Sequence, residues 1–371
     1  MRSAARGKAP NRTQPEAAGH QGPRGSLPGP ARESGRRLAA QGLQGEVNTM
    51  QLPEGSRGSR ILAFGGYQPA NVLTNETLAG AVDTSDEWIR SRVGIESRRL
   101  ASPDETVADM AVAAGGKALA ASGLSASDID LVIVATCTPE VMIPNTAATV
   151  ATRLGINAPG AYDLNAACAG FCYALGTASD AVLAGSSRNV LVIGAEKLSQ
   201  WVDWTDRSTC IIFADGAGAA VVGPVTEPDA SPGIGPVVWG SDGGMADKIY
   251  IADRYSFIHQ EGQAVFRWAT TALHPVALRA CEKAGVDPAS LAAFVPHQAN
   301  LRIVEAIARK LRAPQALVAD DIVHAGNTSS ASIPLALSRM IERGELSSGD
   351  AVLLLGFGAG ISYAGQVIKV P

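Results

Sequence analysis

The sequence predicts an α/β protein built from two similar halves. Three observations carry this. Apolar runs of β type alternate with Ala-rich helical patterns along most of the chain. A unit of helix, glycine, short polar turn and strand occurs twice, as KALAASGLSASDIDLVIVATC (117–137) and LRACEKAGVDPASLAAFVPHQ (278–298). Gly123 and Gly285 are 162 residues apart, and so are Gly194 in VLVIGAE and Gly356 in VLLLGFG. Equal offsets at two places indicate a duplicated half of about 160 residues.

In chain order, residues 1–58 stand apart. They hold nine Lys/Arg, four Asp/Glu, ten Gly and six Pro, with no apolar periodicity. Such a segment buries too little surface to offset its ordering entropy, so disorder is expected. It is Arg-rich and acid-poor like a transit peptide, and it also reads as a basic tail. Its many glycines and prolines and the lack of an amphipathic stretch argue against a transit peptide. The folded pattern starts at Ile61, soon after Met50, which favours Met50 as the true start. Strands are then expected at 131–137, 189–195, 219–223, 292–297 and 351–357, and helices at 106–122, 145–154, 168–184, 264–284, 300–312 and 333–343. The first half is placed at 59–230 and the second at 231–371, with SPGIGP (231–236) as the joint.

Apolar residues make up 46% of the 371, enough for a large core, and scarce aromatics (5%) with 40 glycines suit close helix–sheet packing. A net charge of −4 gives no bulk signal for nucleic acid. The five cysteines, at 137, 168, 172, 210 and 281, form no CxxC pair and no metal-type spacing with histidine. Their odd number implies a reducing, cytoplasmic compartment, and no apolar run approaches the roughly 20 residues that span a bilayer.

Four segments carry candidate chemistry. In LNAACAGFCYAL (164–175), Cys168 falls where a strand hands over to a helix. Free N–H groups and the partial positive charge of a helix N-terminus lower a thiol pKa and can hold an oxyanion. The competing reading is a buried structural cysteine, which also suits Cys172 one turn on. His297, in FVPHQANLRI, ends a strand and precedes a helix, where it can face a cleft or serve as a packed structural histidine. Asn327, in HAGNTSSASIPLAL, lies in a loop of small residues, a setting that more often makes a turn or cap. GFGAGISYAG (356–365) has neither a dinucleotide fingerprint nor a Walker lysine, so a tight turn shaping a pocket is expected. In a duplicated α/β fold the strand ends converge, so these residues can share one pocket.

From about residue 60 onward the chain resembles the β-ketoacyl-acyl carrier protein synthase III family of the thiolase superfamily. The resemblance rests on DTSDEWIRSRVGI (83–95), NAACAGF (165–171), TDRSTCIIFADGAGA (205–219), VPHQANLRI (295–303) and HAGNTSSASIP (324–334), in order and spacing. It implies two βαβαβαββ halves in five αβαβα layers. It also implies a decarboxylative condensation of an acyl-CoA primer with malonyl-acyl carrier protein, initiating fatty-acid synthesis, with no cofactor. The resemblance makes Cys168, His297 and Asn327 the catalytic trio, with the backbone of Cys168 and Ala359 as oxyanion donors. Thr84, Trp88, Arg92, Arg207, Gly262, Phe266 and Asn300 would form the CoA tunnel, with the adenine between Trp88 and Arg207. Arg267, Arg302, Arg309 and Lys310 form a basic group suited to an acidic carrier protein, or simply a solvated helix face. Phe213 and Phe357 would line the acyl pocket, and Ile143 would line that of the partner in a homodimer. The segment 240–260 would carry primer selectivity.

The rivals are a starter-unit enzyme or plain acyltransferase of a polyketide pathway, a non-enzymatic scaffold and a dinucleotide binder. A degradative thiolase would need a second cysteine near the C-terminal glycine loop, and residues 282–371 hold none.

Overall fold

The computed structural model describes residues 53–227 and 230–371. The readings made for residues 1–52, including the start at Met50, lie outside the described residues. Residues 53–58 are coil, tied down by Ser56 N donating to Val182 O (3.4 Å) and Val225 N donating to Gly58 O (2.9 Å).

The chain then forms β1 (Ser59–Tyr67), β2 (Asn71–Thr74), α1 (Asn75–Ala79), α2 (Asp86–Val93), β3 (Ser97–Leu100), α3 (Val107–Ser122), β4 (Leu131–Ala135) and α4 (Thr146–Arg153). Next come β5 (Gly160–Leu164), α5 (Gly170–Leu183), β6 (Val190–Lys197), β7 (Asp215–Pro224), β8 (Val238–Ser241), β9 (Ile249–Tyr250), β10 (His259–Gln260) and α6 (Gly262–Ala284). Last are β11 (Ala293–Pro296), α7 (Leu301–Ala308), β12 (Leu317–Val318), α8 (Ile322–Ala325), α9 (Ser332–Glu342), β13 (Ala351–Gly358) and β14 (Ser362–Lys369).

Two five-stranded sheets result, in the orders β1-β7-β6-β4-β5 and β8-β14-β13-β11-β12. They match strand for strand. In each, the first three strands pair antiparallel and the last three pair parallel. The repeated unit seen in the sequence is the same local structure twice. Gly123 (φ +73°) and Gly285 (φ +67°) both end their helices in the left-handed conformation that glycine adopts without steric cost.

Both sheets are buried on both faces, so their central strands read as continuous apolar runs. Successive side chains point to opposite faces. Val132 and Val134 enter the outer core under α3 and α4, whereas Ile133 and Ala135 enter the central core around α5 and α9. On β13, Val352 and Leu354 face that same central core, and Leu353, Leu355 and Phe357 face the outer core under α6 and α7. The layers run helix, sheet, helix, sheet, helix. The central layer is tight: a Cβ on Gly218 would lie 2.5 Å from Leu335 N, and one on Gly194 would lie 2.4 Å from Ser330 O.

The stretch 356–365 is not a free loop. It is the end of β13, a one-turn 3-10 segment at Ala359–Ile361 and the start of β14.

Candidate active site

Parallel strands β4, β5 and β11 deliver Cys137, Cys168 and His297 from their C-terminal ends into one cavity of about 750 Å³. Asn327, from the loop before α9, lines the same cavity.

Cys168 lies in a one-turn 3-10 segment, Ala167–Ala169, that runs into α5. Ala167 is held at φ +46°, a left-handed backbone that is costly for a residue with a Cβ. The turn is steadied by Ala167 N donating to Asn165 Oδ1 (3.1 Å). Gly358 packs directly on the nucleophile: a Cβ there would sit 2.7 Å from Cys168 Cβ and 2.8 Å from Cys168 N. The expectation of a lowered thiol pKa is overturned. Burial pushes Cys168 up to about 12, the Ser329 hydroxyl opposes this, and the negative charge of Glu196 adds to it. Desolvation is the largest cause, and it holds the resting thiol above its ordinary value. Cys172, one turn on, is fully buried in the central core.

His297 follows β11 and is 2% exposed, with its N–H donating to Leu355 O (2.8 Å). Its Nδ1 lies 2.7 Å from Ser332 Oγ, and its ring meets Phe357 edge-on at 5.2 Å between centroids. Burial lowers its pKa to about 3, so the imidazole is neutral near pH 7.

Asn327 is fixed by its backbone and its carbonyl oxygen. Asn327 N donates to Ile212 O (3.0 Å), and Ala214 N donates to Asn327 O (2.9 Å). The side-chain Oδ1 accepts from Ser329 N (2.9 Å), which assigns the amide orientation and leaves Nδ2 as the free donor. Behind this loop sits Glu196, fully buried. It accepts from Thr138 Oγ1 (2.6 Å), Ser329 Oγ (2.9 Å), Ser330 Oγ (3.0 Å) and Cys137 N (3.0 Å), tying the end of β6 to the Asn327 loop.

Trp88, Arg92, Gly262, Phe266 and Asn300 line the cavity, as do Phe213, Phe357 and Ala359. Thr84 does not, and its Oγ1 is buried with no partner among the described residues. Arg207 lies outside the lining, its guanidinium 4.7 Å from the Trp88 ring centroid and donating to Asp83 O (2.8 Å). Stacked rings sit about 4.5 Å or more apart centroid to centroid. A base between Trp88 and Arg207 therefore requires Arg207 to swing out.

Of the basic group, Arg267 and Arg302 are on the cavity wall, with Arg302 over the Phe266 ring at 5.4 Å. Arg309 and Lys310 lie away from it, the first paired with Glu305 (3.7 Å), the second donating to Thr270 O (2.5 Å). Ile143 does not line the cavity of its own chain. It is 88% exposed on an apolar turn with Val141 and Met142.

Motif reading missed Cys137, Ser332 and Glu196, whose places depend on which strand ends meet. It also left open the pocket wall at Ile249, Ile251 and Ile258, for which the irregular 240–260 segment offered no periodic signal.

Comparison with known proteins follows the same lines. A family model described as 3-oxoacyl-acyl-carrier-protein (ACP) synthase III matches residues 162–243, and its C-terminal companion matches residues 281–370. The chain is 59% identical over 315 residues to β-ketoacyl-acyl-carrier-protein synthase III 4 of Streptomyces coelicolor, covering 85% of this chain and 99% of that one. It is 48% identical to the mycobacterial β-ketoacyl-acyl-carrier-protein synthase III of Mycobacterium avium, covering 84% and 95%. Among solved structures, the priming β-ketosynthase of a polyketide biosynthetic pathway superposes with a TM-score of 0.83 at 43% identity, covering 87% of this chain and 98% of that one. The 3-oxoacyl-acyl-carrier-protein synthase III of Aquifex aeolicus superposes with a TM-score of 0.80 at 41% identity, covering 84% and 100%. The chain belongs to the β-ketoacyl-acyl carrier protein synthase III family.

Proposed function

We propose that this protein condenses an acyl-CoA primer with malonyl-acyl carrier protein, using Cys168 as the acyl carrier and His297 with Asn327 as the decarboxylation pair. The observation that carries this is the convergence of all three on one cavity. His297 and Asn327 each have one side-chain polar atom engaged behind the wall and one left for a substrate.

In the first half-reaction, Cys168 Sγ attacks the primer carbonyl. The oxyanion rests on the N–H groups of Cys168 and Ala359. The C–S bond to CoA breaks, and CoA leaves as a thiol with the proton given up by Cys168. In the second, malonyl-acyl carrier protein loses its carboxylate as CO₂. The electron pair becomes an enolate whose oxygen accepts hydrogen bonds from His297 Nε2 and Asn327 Nδ2. A neutral histidine suits this role, because its N–H donates a hydrogen bond but is too weak an acid to protonate the enolate. The enolate carbon attacks the acyl thioester, the C–S bond to Cys168 breaks, and the thiolate takes up from solvent the one proton the net reaction consumes.

Trp88, Arg92, Gly262, Phe266 and Asn300 form the CoA path, and Arg207 closes on the adenine after first moving aside. Arg267 and Arg302 are best placed to meet an acidic carrier protein at the mouth; Arg309 and Lys310 extend that face. Phe213 and Phe357 bound the acyl group. The exposed apolar turn at Val141, Met142 and Ile143 is read as a homodimer contact that completes the partner's acyl pocket. No described helix is long and apolar enough to cross a membrane.

A second reading, loading a polyketide starter unit, is favoured by the 43% identity to a priming β-ketosynthase. Rates with acetyl-, isobutyryl- and longer acyl-CoAs separate the two pathways. The mechanism itself is tested with His297→Ala. This variant should still acylate but fail to decarboxylate malonyl-acyl carrier protein, and unimpaired condensation would refute the role of His297.

A further inference from the structure

A neutral imidazole carries one proton, and the decarboxylation role needs it on the nitrogen that faces the cavity. Ser332, the first residue of α9, sits behind the ring with Oγ 2.7 Å from Nδ1. That hydroxyl also accepts from Gln298 N at 3.3 Å. Gln298 is itself immobilised: its Nε2 donates to Pro296 O (2.8 Å) and Ala319 O (3.2 Å), and its Oε1 accepts from Ile322 N (3.1 Å). The backbone N–H that aims at Ser332 is therefore fixed in place.

A serine hydroxyl has one proton and two lone pairs. The Gln298 N–H occupies a lone pair on one side. The one acceptor recorded for the hydroxyl proton among the described residues is Nδ1 of His297. Ser332, Gln298 and His297 are 2%, 1% and 2% exposed, so water does not compete for these bonds.

We infer that Ser332 is a positioning residue that holds His297 in the Nε2–H tautomer by donating its hydroxyl proton to Nδ1. This rests on the proposed role of His297. The direction of donation follows from the hydroxyl proton, which has no other acceptor among the described residues, and the ring meets Phe357 edge-on. The hydroxyl exchanges no proton with substrate. It keeps Nδ1 an acceptor, so that Nε2 always presents its hydrogen to the enolate oxygen.

The test uses the full-length enzyme and its Ser332→Ala, Ser332→Thr and His297→Ala variants. Two half-reactions are followed: acylation of the enzyme by acyl-CoA, read by intact mass, and CO₂ release from malonyl-acyl carrier protein. Nitrogen NMR of histidine-labelled protein reads the ring tautomer. Ser332→Ala should acylate at the wild-type rate, which also shows that it folds. Its kcat for CO₂ release should fall roughly tenfold, the size expected for leaving a buried acceptor unpaired, with KM little changed. Ser332→Thr, which keeps the hydroxyl, should recover most of the loss. The wild-type His297 signal should report an unprotonated Nδ1, and Ser332→Ala a mixture. Full CO₂ release by Ser332→Ala alongside a defective His297→Ala overturns this inference and leaves the proposed mechanism standing. Loss of acylation in Ser332→Ala, or an Nδ1–H signal in the wild type, overturns it as well. An unimpaired His297→Ala removes the proposed mechanism itself.

Discussion

Gly358→Ala probes the contact between the two halves at the nucleophile. Gly358 is extended (φ −177°), so alanine meets no backbone penalty there. Its added methyl, however, would lie 2.7 Å from Cys168 Cβ, 2.8 Å from Cys168 N and 3.0 Å from Cys168 Sγ. Carbon atoms rest at about 3.5–4.0 Å, so β13 and the Cys168 turn must separate by about 1 Å. Overpacking of that kind costs about 1–3 kcal/mol in stability. A misplacement of about 1 Å at reacting atoms costs about 100-fold in rate. The expected outcome is a folded protein with a slightly lower melting temperature whose acylation by acyl-CoA, followed by intact mass against time, is slowed about 100-fold. Wild-type acylation in a variant shown by its melting curve to be folded would refute the placement of Gly358 against the nucleophile.

Trp88→Ala should raise the KM for acyl-CoA about tenfold and leave kcat nearly unchanged, because base–aromatic stacking contributes about 1–3 kcal/mol of uniform binding; an unchanged KM would send the adenine elsewhere. Arg302→Glu should weaken turnover of malonyl-acyl carrier protein more than that of malonyl-CoA, with the difference shrinking as salt rises. Equal effects on both would remove Arg302 from the docking face. The folded pKa of His297, about 3, lies below its ordinary 6.5. Below pH 6.5 the unfolded chain binds a proton that the folded one refuses, so this contribution is full above pH 6.5 and is lost as the pH falls toward 3. The loss is up to about 1.4 kcal/mol per pH unit. Urea melts at pH 7 and pH 5 should show the wild type losing about 2 kcal/mol more than His297→Gln over that interval; parallel losses would contradict a buried neutral histidine.

Much of the architecture was legible because buried strands and packed helices leave periodic marks. The LVIVA of β4 and VLLL of β13 are continuous apolar runs, as two covered faces demand. In α2, Ser85 at the N-cap accepts from Trp88 N (3.1 Å) and Gly94 closes the helix at φ +79°, which explains how DTSDEWIRSRVGI presents Trp88. Strand β7 was read too short. Its opening DGAG resembles a loop, but the glycines are there to admit α9, and Asp215 accepts from Ser199 N (2.9 Å) and Ala101 N (2.8 Å). Strand β14 was missed because its start lies inside the Gly-rich run.

The trio was visible as three residues at strand and helix junctions. The environment that sets their chemistry was not. Nothing local reveals the desolvation at half-buried Cys168, which reverses the expected direction of its pKa. Among the four hydroxyl residues at 328–332, no pattern singles out the serine that meets a histidine 35 positions away. Arg207 was identified by its motif, but its closure on Trp88 is a property of the folded pocket.

Site-resolved mass spectrometry of the enzyme after a short incubation with acyl-CoA decides whether Cys168 is the acyl carrier. Cys137 and Cys168 both line the cavity and Cys172 follows one turn on in α5, so fragmentation must assign the adduct to a single sulfur. The expected result is a thioester on Cys168 alone, discharged when malonyl-acyl carrier protein is added and absent from Cys168→Ala. An adduct on Cys137 or Cys172, or a dischargeable adduct that survives in Cys168→Ala, would contradict it.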